Sequence, residues 1–175
     1  ARAAGDPRCE ADAEFCRGVA LRQQFRLDEA LDHLRRALEL DAAARAGEDR
    51  PDSSYLERRC LNDLAAICWG RGDLAGAERY LERMLDLCVR QGNRSDQAVA
   101  LGNLGLVAVE RGDYAVAMDR YEQSQALADA VGRVTPAAGL NLGELCLEVG
   151  AYADAEAHFS GALAVAREQS ALKSQ

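Results

Sequence analysis

Apolar residues return along this chain every three or four positions, the spacing that gathers side chains on one face of an α-helix. Leu56, Cys60, Leu64, Ile67 and Cys68 share one such face, and Leu74, Ala77, Leu81, Met84, Leu85 and Cys88 share another. The strict alternation of half-buried strands finds no support. Short Gly-Asp turns interrupt the pattern: the glycine tolerates the left-handed conformation that closes a helix, and the aspartate can cap the next one. The spacing predicts helices at about 9–24, 27–45, 53–70, 74–91, 94–111, 114–131, 135–149 and 152–169, an all-α chain.

The pattern also repeats at long range. Gly72-Asp73-Leu74, Gly112-Asp113-Tyr114 and Gly150-Ala151-Tyr152 recur at intervals of 40 and 38 residues. Ala77, Ala117 and Ala155 follow at one offset, and Leu81, Tyr121 and Phe159 at another. Upstream stand Leu64, Leu104 and Leu142, each followed by a small residue, Ala65, Gly105 or Gly143. A weaker copy holds Gly18, Leu27, Ala30, Leu34 and Ala37, with Phe25 where the turn glycine belongs, and a longer connection runs through 42–53. The repeats therefore span about 9–46, 53–92, 94–132 and 135–169 of a single domain, 1–175.

Small residues where two antiparallel helices cross let their backbones approach closely. Tyr114, Tyr121, Tyr152 and Phe159 are then expected to fill the gap between one pair and the next. Each pair alone cannot bury its apolar faces, so stability should come from stacking neighbours.

Asn103-Leu104-Gly105 … Gly112-Asp113-Tyr114 … Ala117 … Tyr121, and Asn141-Leu142-Gly143 … Gly150-Ala151-Tyr152 … Ala155 … Phe159 … Ala162, resemble tetratricopeptide repeats. A repeat near 40 residues is similar to the long-helix subset of that family. Departures are Phe25, Met84 and Ser124 at places usually holding Gly or Ala, and the lack of a helix-ending Pro. The resemblance implies a right-handed α-α superhelix of four helix-turn-helix repeats whose first helices line a concave groove. It also implies a non-catalytic module that binds a peptide or protein segment there, as part of a larger adaptor or scaffold. The alternative is a sensory or regulatory segment of a bacterial signalling or transcriptional regulator that binds a peptide or small effector.

Within that groove the candidates are Arg59, Asn62, Trp69, Asn103, Val109, Glu110, Asn141, Glu144 and Glu148. Asn103 and Asn141 are equivalent, with Asn62 one place off their register. A carboxamide both donates and accepts, so a row of them can hold an extended main chain whatever its side chains. An interhelix hydrogen bond or a solvent-facing Asn is the other reading. Trp69, the single tryptophan, is either an anchor or a core and turn residue. The carboxylates of the later repeats favour a basic or N-terminal segment, against the alternative of a solvated helix face. The repeats that clamp chaperone C-terminal tails carry a cationic set; Asn62, Asp63 and Ala66, then Val99, Gly102 and Asn103, then Ala137, Leu140 and Asn141 do not supply it. A chaperone tail is therefore not the expected partner.

Charge narrows the partner further. The 175 residues carry 21 basic and 29 acidic side chains, a net charge of −8, which disfavours nucleic acid and anionic membrane. No apolar run approaches a membrane span and no leader pattern opens the chain at Ala1, which reads as a segment of a longer polypeptide. A fifth repeat would begin near Ser174, so Leu163, Val165 and Leu172 are candidates for cover by a following helix, and exposed terminal repeats for self-association. Cys9, Cys16, Cys60, Cys68, Cys88 and Cys146 fall in apolar helical patterns without CxxC pairs, so they read as free buried thiols of a reducing, cytoplasmic compartment. His33 and His158 lack metal-ligand spacing, no phosphate loop, GxSxG or HExxH occurs, and no cofactor is implied. Arg71-Gly72-Asp73 and Arg111-Gly112-Asp113 spell an adhesion tripeptide but are explained as repeat turns.

Overall fold

A computed structural model describes residues 6–46, 54–132 and 136–173. Its elements are α1 (Pro7–Gln23), α2 (Leu27–Arg45), α3 (Tyr55–Gly70), α4 (Leu74–Arg90), α5 (Arg94–Arg111), α6 (Tyr114–Ala130), α7 (Pro136–Glu148) and α8 (Tyr152–Lys173). The all-α expectation holds among the described residues, and the bounds fall close to those that the periodicity predicts, save that α8 runs past 169. Most of the connector 42–53, the predicted helix starts at 53 and 135, and the side chain of Leu172 lie outside the described residues. The chain divides into two compact units, Ala1–Leu87 and Cys88–Gln175, with the division inside α4.

In the first unit, Ala11 and Phe15 of α1, Leu31, Leu34 and Ala37 of α2, and Leu56, Cys60, Leu64 and Ile67 of α3 form one buried cluster. Residues three and four apart supply it, so each helix turns one stripe inward. A second, polar contact joins the same unit. Glu57 of α3, 8% exposed, accepts hydrogen bonds from Arg45 of α2 and Arg83 of α4, and Asp41 lies 2.9 Å from the Arg45 guanidinium. His33 of α2 pairs with Glu14 of α1, so one of the two histidines has a structural partner.

The second unit repeats the logic with aromatic rings over its crossing glycines. Ala108 of α5, Ala117 and Tyr121 of α6, and Leu142 and Leu145 of α7 pack together. The Tyr121 ring lies directly over Gly105, where an added Cβ would stand 2.4 Å from a ring carbon. Phe159 covers Gly143 in the same way, at 2.5 Å, and Leu34 covers Gly18 at 2.7 Å. Glycine and covering side chain are sixteen residues apart in each case, and the buried pair Ala65 and Leu81 has the same spacing.

This corrects the role expected of the aromatics. Tyr121 packs inside its own helix pair as well as against α7, and Phe159 sits over its own pair's glycine. Tyr114, 37% exposed, lines a cleft between its own helix pair and α7 without being buried there, whereas Tyr152 is 71% exposed and fills no gap. The thiols need a correction too. Cys60, Cys68, Cys88 and Cys146 are buried, but Cys9 and Cys16 lie on the outer face of α1 and are exposed. Burial pushes the Cys60 thiol up to about 12, which keeps it protonated and inert at neutral pH.

The turns show which capping expectations hold. Gly72 and Gly112 adopt φ of +77° and +79°, and the next backbone N–H, of Asp73 or Asp113, donates back to the carbonyl of Cys68 or Ala108 at 2.9 Å. The Asp73 side chain caps α4 by accepting from the Gly76 N–H at 2.9 Å, whereas Asp113 makes no such bond. In the first repeat Phe25 takes the glycine's place at φ +59°, and Arg26 N–H closes the turn on the Leu21 carbonyl at 3.0 Å. Phe25 is 87% exposed, so its ring recovers nothing for a conformation that costs an L-residue about 1–2 kcal/mol. Phe25→Gly is therefore expected to stabilise the first unit by about 1 kcal/mol, after the entropy that glycine loses on folding is deducted. Urea unfolding of the variant measures it; an unchanged or lower midpoint would show that the turn is unstrained.

Candidate functional site

Two clefts open along α5 and α7 of the second unit, with α6 as their floor. The first, of about 220 Å³, is lined by Ser95, Val99, Gly102 and Asn103 of α5, Tyr121, Ser124 and Ala128 of α6, and Ala137, Ala138 and Asn141 of α7. The second, of about 280 Å³, is lined by Leu106, Val109 and Glu110 of α5, Tyr114 and Tyr121 of α6, and Glu144, Leu145 and Glu148 of α7, again with Asn141. Along both helices these positions are three or four apart, so each contributes a single stripe. N-terminal halves line the first cleft and C-terminal halves the second, which means that α5 and α7 run through the site in the same direction.

The two clefts differ in chemistry. Val99 and Val131, 45% and 37% exposed, give the first an apolar rim, and the Ser124 hydroxyl is withdrawn from it by donating to the Ala98 carbonyl at 2.7 Å. Three carboxylates and, among the described residues, no basic side chain line the second. Burial, and next the Glu144 carboxylate, push the Tyr121 phenol up to about 12, so it stays neutral. Among the described residues no group of three or more His, Cys, Asp or Glu is placed to hold a metal ion. No described helix is long and apolar enough to cross a membrane.

Asn103, Val109, Glu110, Asn141, Glu144 and Glu148 are thus brought together on one face of the second unit. Arg59, Asn62 and Trp69 belong to the first. There the Arg59 guanidinium lies over the rings of Phe15, at 4.4 Å, and Tyr55, at 5.3 Å, so it is engaged in α1–α3 packing. Asn62 is half-buried and Trp69 is 45% exposed at the end of α3. Asp63, in the register of Asn103, stands 3.2 Å from the Arg22 guanidinium, so the row of carboxamides does not continue on α3. Burial raises the Asp63 carboxyl, against the opposing pull of Arg22 and Arg59.

Sequence reasoning missed Tyr121, Gly102 and Ser124 as lining residues. Ser124 carried a signal, as a hydroxyl in a place that usually holds Gly or Ala. Gly102 carried a weaker one, a helix-interior glycine outside the repeated constellation.

A family model described as tetratricopeptide repeat matches residues 56–130, and a second of the same description matches 11–43. The chain is a tetratricopeptide-repeat protein. Its helical-repeat fold is shared with solved structures of low sequence identity. The apo form of RapI superposes with a TM-score of 0.83 at 13% identity, over 94% of this chain and 45% of that one. Aspartyl phosphate phosphatase F from Bacillus subtilis gives 0.83 at 13% identity, over 93% and 42%. BtubC from P. vanneervenii gives 0.79 at 21% identity, over 94% and 66%. This tetratricopeptide-repeat chain thus spans less than half of the first two of these structures. By sequence, no curated protein matches it significantly. The family and fold support a protein–protein interaction module.

Proposed function

We propose that the α5–α7 face of the second unit holds an extended segment of a protein partner, giving the chain a binding rather than a catalytic role within a larger adaptor or scaffold. The observation that carries this reading is that Asn103 and Asn141, equivalent residues of successive repeats, line one cleft from opposite sides. Two carboxamides so placed offer donors and acceptors at two points of a passing main chain, and the apolar rim removes water around them. Helices on both sides fix the site in advance, so mainly the partner is ordered on binding.

Each hydrogen bond between such groups contributes about 0.5–1.5 kcal/mol net. Asn103→Ala with Asn141→Ala is therefore expected to weaken the partner by about tenfold or more, since 1.4 kcal/mol is one decade. The check is to isolate the natural partner on the immobilised chain and titrate it against both proteins, with far-UV circular dichroism confirming equal helix content. Equal affinity for both would refute the reading.

A further inference from the structure

Three features of the face are left unexplained by the helical-repeat fold. Gly102 sits inside α5, where glycine lowers helix stability. Unlike Gly105 it is not demanded by packing, because an added Cβ would meet only the Ser124 Oγ at 3.4 Å, an ordinary contact. What its bare backbone provides is room along the α5 side of the first cleft. Next, Glu110, Glu144 and Glu148 occupy the last two turns of α5 and α7, the negative ends of the helix dipoles, where carboxylates are unfavourable. Among the described residues no basic side chain lines their cleft, and no group of three or more His, Cys, Asp or Glu is placed to hold a metal ion. Finally, Asn141 and Tyr121 line both clefts, so a chain held at Asn141 can reach into either.

Resting on the peptide-binding reading above, we propose that this face selects segments in which a basic side chain lies beside an apolar one. The apolar side chain fills the first cleft over Gly102, the main chain crosses at Asn141, and a Lys or Arg enters the second cleft. Leu106 and Tyr114 there offer apolar surface to the aliphatic stem, and the carboxylates surround its charged head. A long organic cation fits spread carboxylates better than a compact ion, because its stem is covered while its head is shared among them.

The test uses random dodecapeptides displayed on phage and selected on the immobilised chain, with synthetic copies measured by fluorescence anisotropy at physiological salt. Selected peptides are expected to carry Lys or Arg within two residues of Val, Leu, Ile or Met. Glu144→Gln with Glu148→Gln should weaken them about tenfold and flatten the salt dependence. Gly102→Val should weaken peptides with a large apolar residue about tenfold, while those bearing Ala there change little. Peptides that need Asn103 and Asn141 but lack a basic residue, or that ignore the glutamate changes, would overturn this selectivity and leave peptide binding intact. Failure to select any peptide that depends on the two asparagines would overturn both.

Discussion

Gly105→Ala is expected to destabilise the second unit by about 1–3 kcal/mol, the range for forcing one extra carbon into a well-packed site. The substitution looks innocuous, since alanine is the better helix former and gains up to about 1 kcal/mol on propensity alone. Packing decides the sign. The new methyl would stand 2.4 Å from a carbon of the Tyr121 ring, which itself is held by Leu142 and Leu145 and has little freedom to retreat. The second repeat shows the accommodating combination, Ala65 with Leu81, both buried at the same sixteen-residue spacing. In a Tyr121→Leu background, Gly105→Ala should therefore cost at least about 1 kcal/mol less than in the native chain. A double-mutant cycle by urea unfolding measures that coupling. Additive effects would mean that glycine and ring do not constrain each other.

The second large effect concerns Glu57. Burial is the strongest single influence on its carboxyl and pushes the pKa up, yet the hydrogen bonds and charges of Arg83 and Arg45 together outweigh it and hold the group below its ordinary 4.5. A carboxyl depressed on folding contributes stability in full above its unfolded pKa, and loses it as pH falls through the folded one. Removing one partner of a buried ion pair costs about 3–5 kcal/mol when the other is stranded. Here Arg45 keeps Asp41 and the Arg83 side chain is 56% exposed, so neither guanidinium is stranded. Glu57→Gln should accordingly cost about 1–3 kcal/mol at pH 7. Below the folded pKa the native residue is itself neutral, and the difference should shrink towards zero. Asp41 has the opposite sign, because burial raises its carboxyl and protonation relieves a cost. The comparison is of urea midpoints for native chain and variant at pH 7 and near pH 3; a pH-independent difference would contradict the assignment.

The helices and their pairing were legible in the sequence because two signals agreed, the three-to-four spacing of apolar residues and the recurrence of small residues at fixed offsets. What those signals lacked was direction. A tyrosine at the start of a second helix and one seven residues later look equally available for a gap, yet Tyr121 is buried over the crossing glycine while Tyr114 stays 37% exposed at the edge of the second cleft. Phe25 was legible as a departure but not as a side chain forced into the left-handed region, because the turn is imposed by the helices on either side. The site divides similarly. Register placed Asn103 and Asn141 on equivalent turns, and helical spacing put Glu110, Glu144 and Glu148 on the same stripes. The partition into an apolar and an acidic cleft depends on α6, whose Ser124 and Tyr121 reach the face from another layer. Asn62 shared the residue type but not the register, and the structure puts Asp63 where the next carboxamide would have stood.

The measurement closest to the central claim is a titration of the nitrogen-15-labelled chain with a selected peptide, followed through the side-chain amide resonances of asparagine. The carboxamides of Asn103 and Asn141 should shift together, with one dissociation constant, and backbone amides of α5 and α7 around them should follow. If those two carboxamides stay in place while resonances elsewhere in the chain move, the segment binds at another surface and the assignment of this face is wrong.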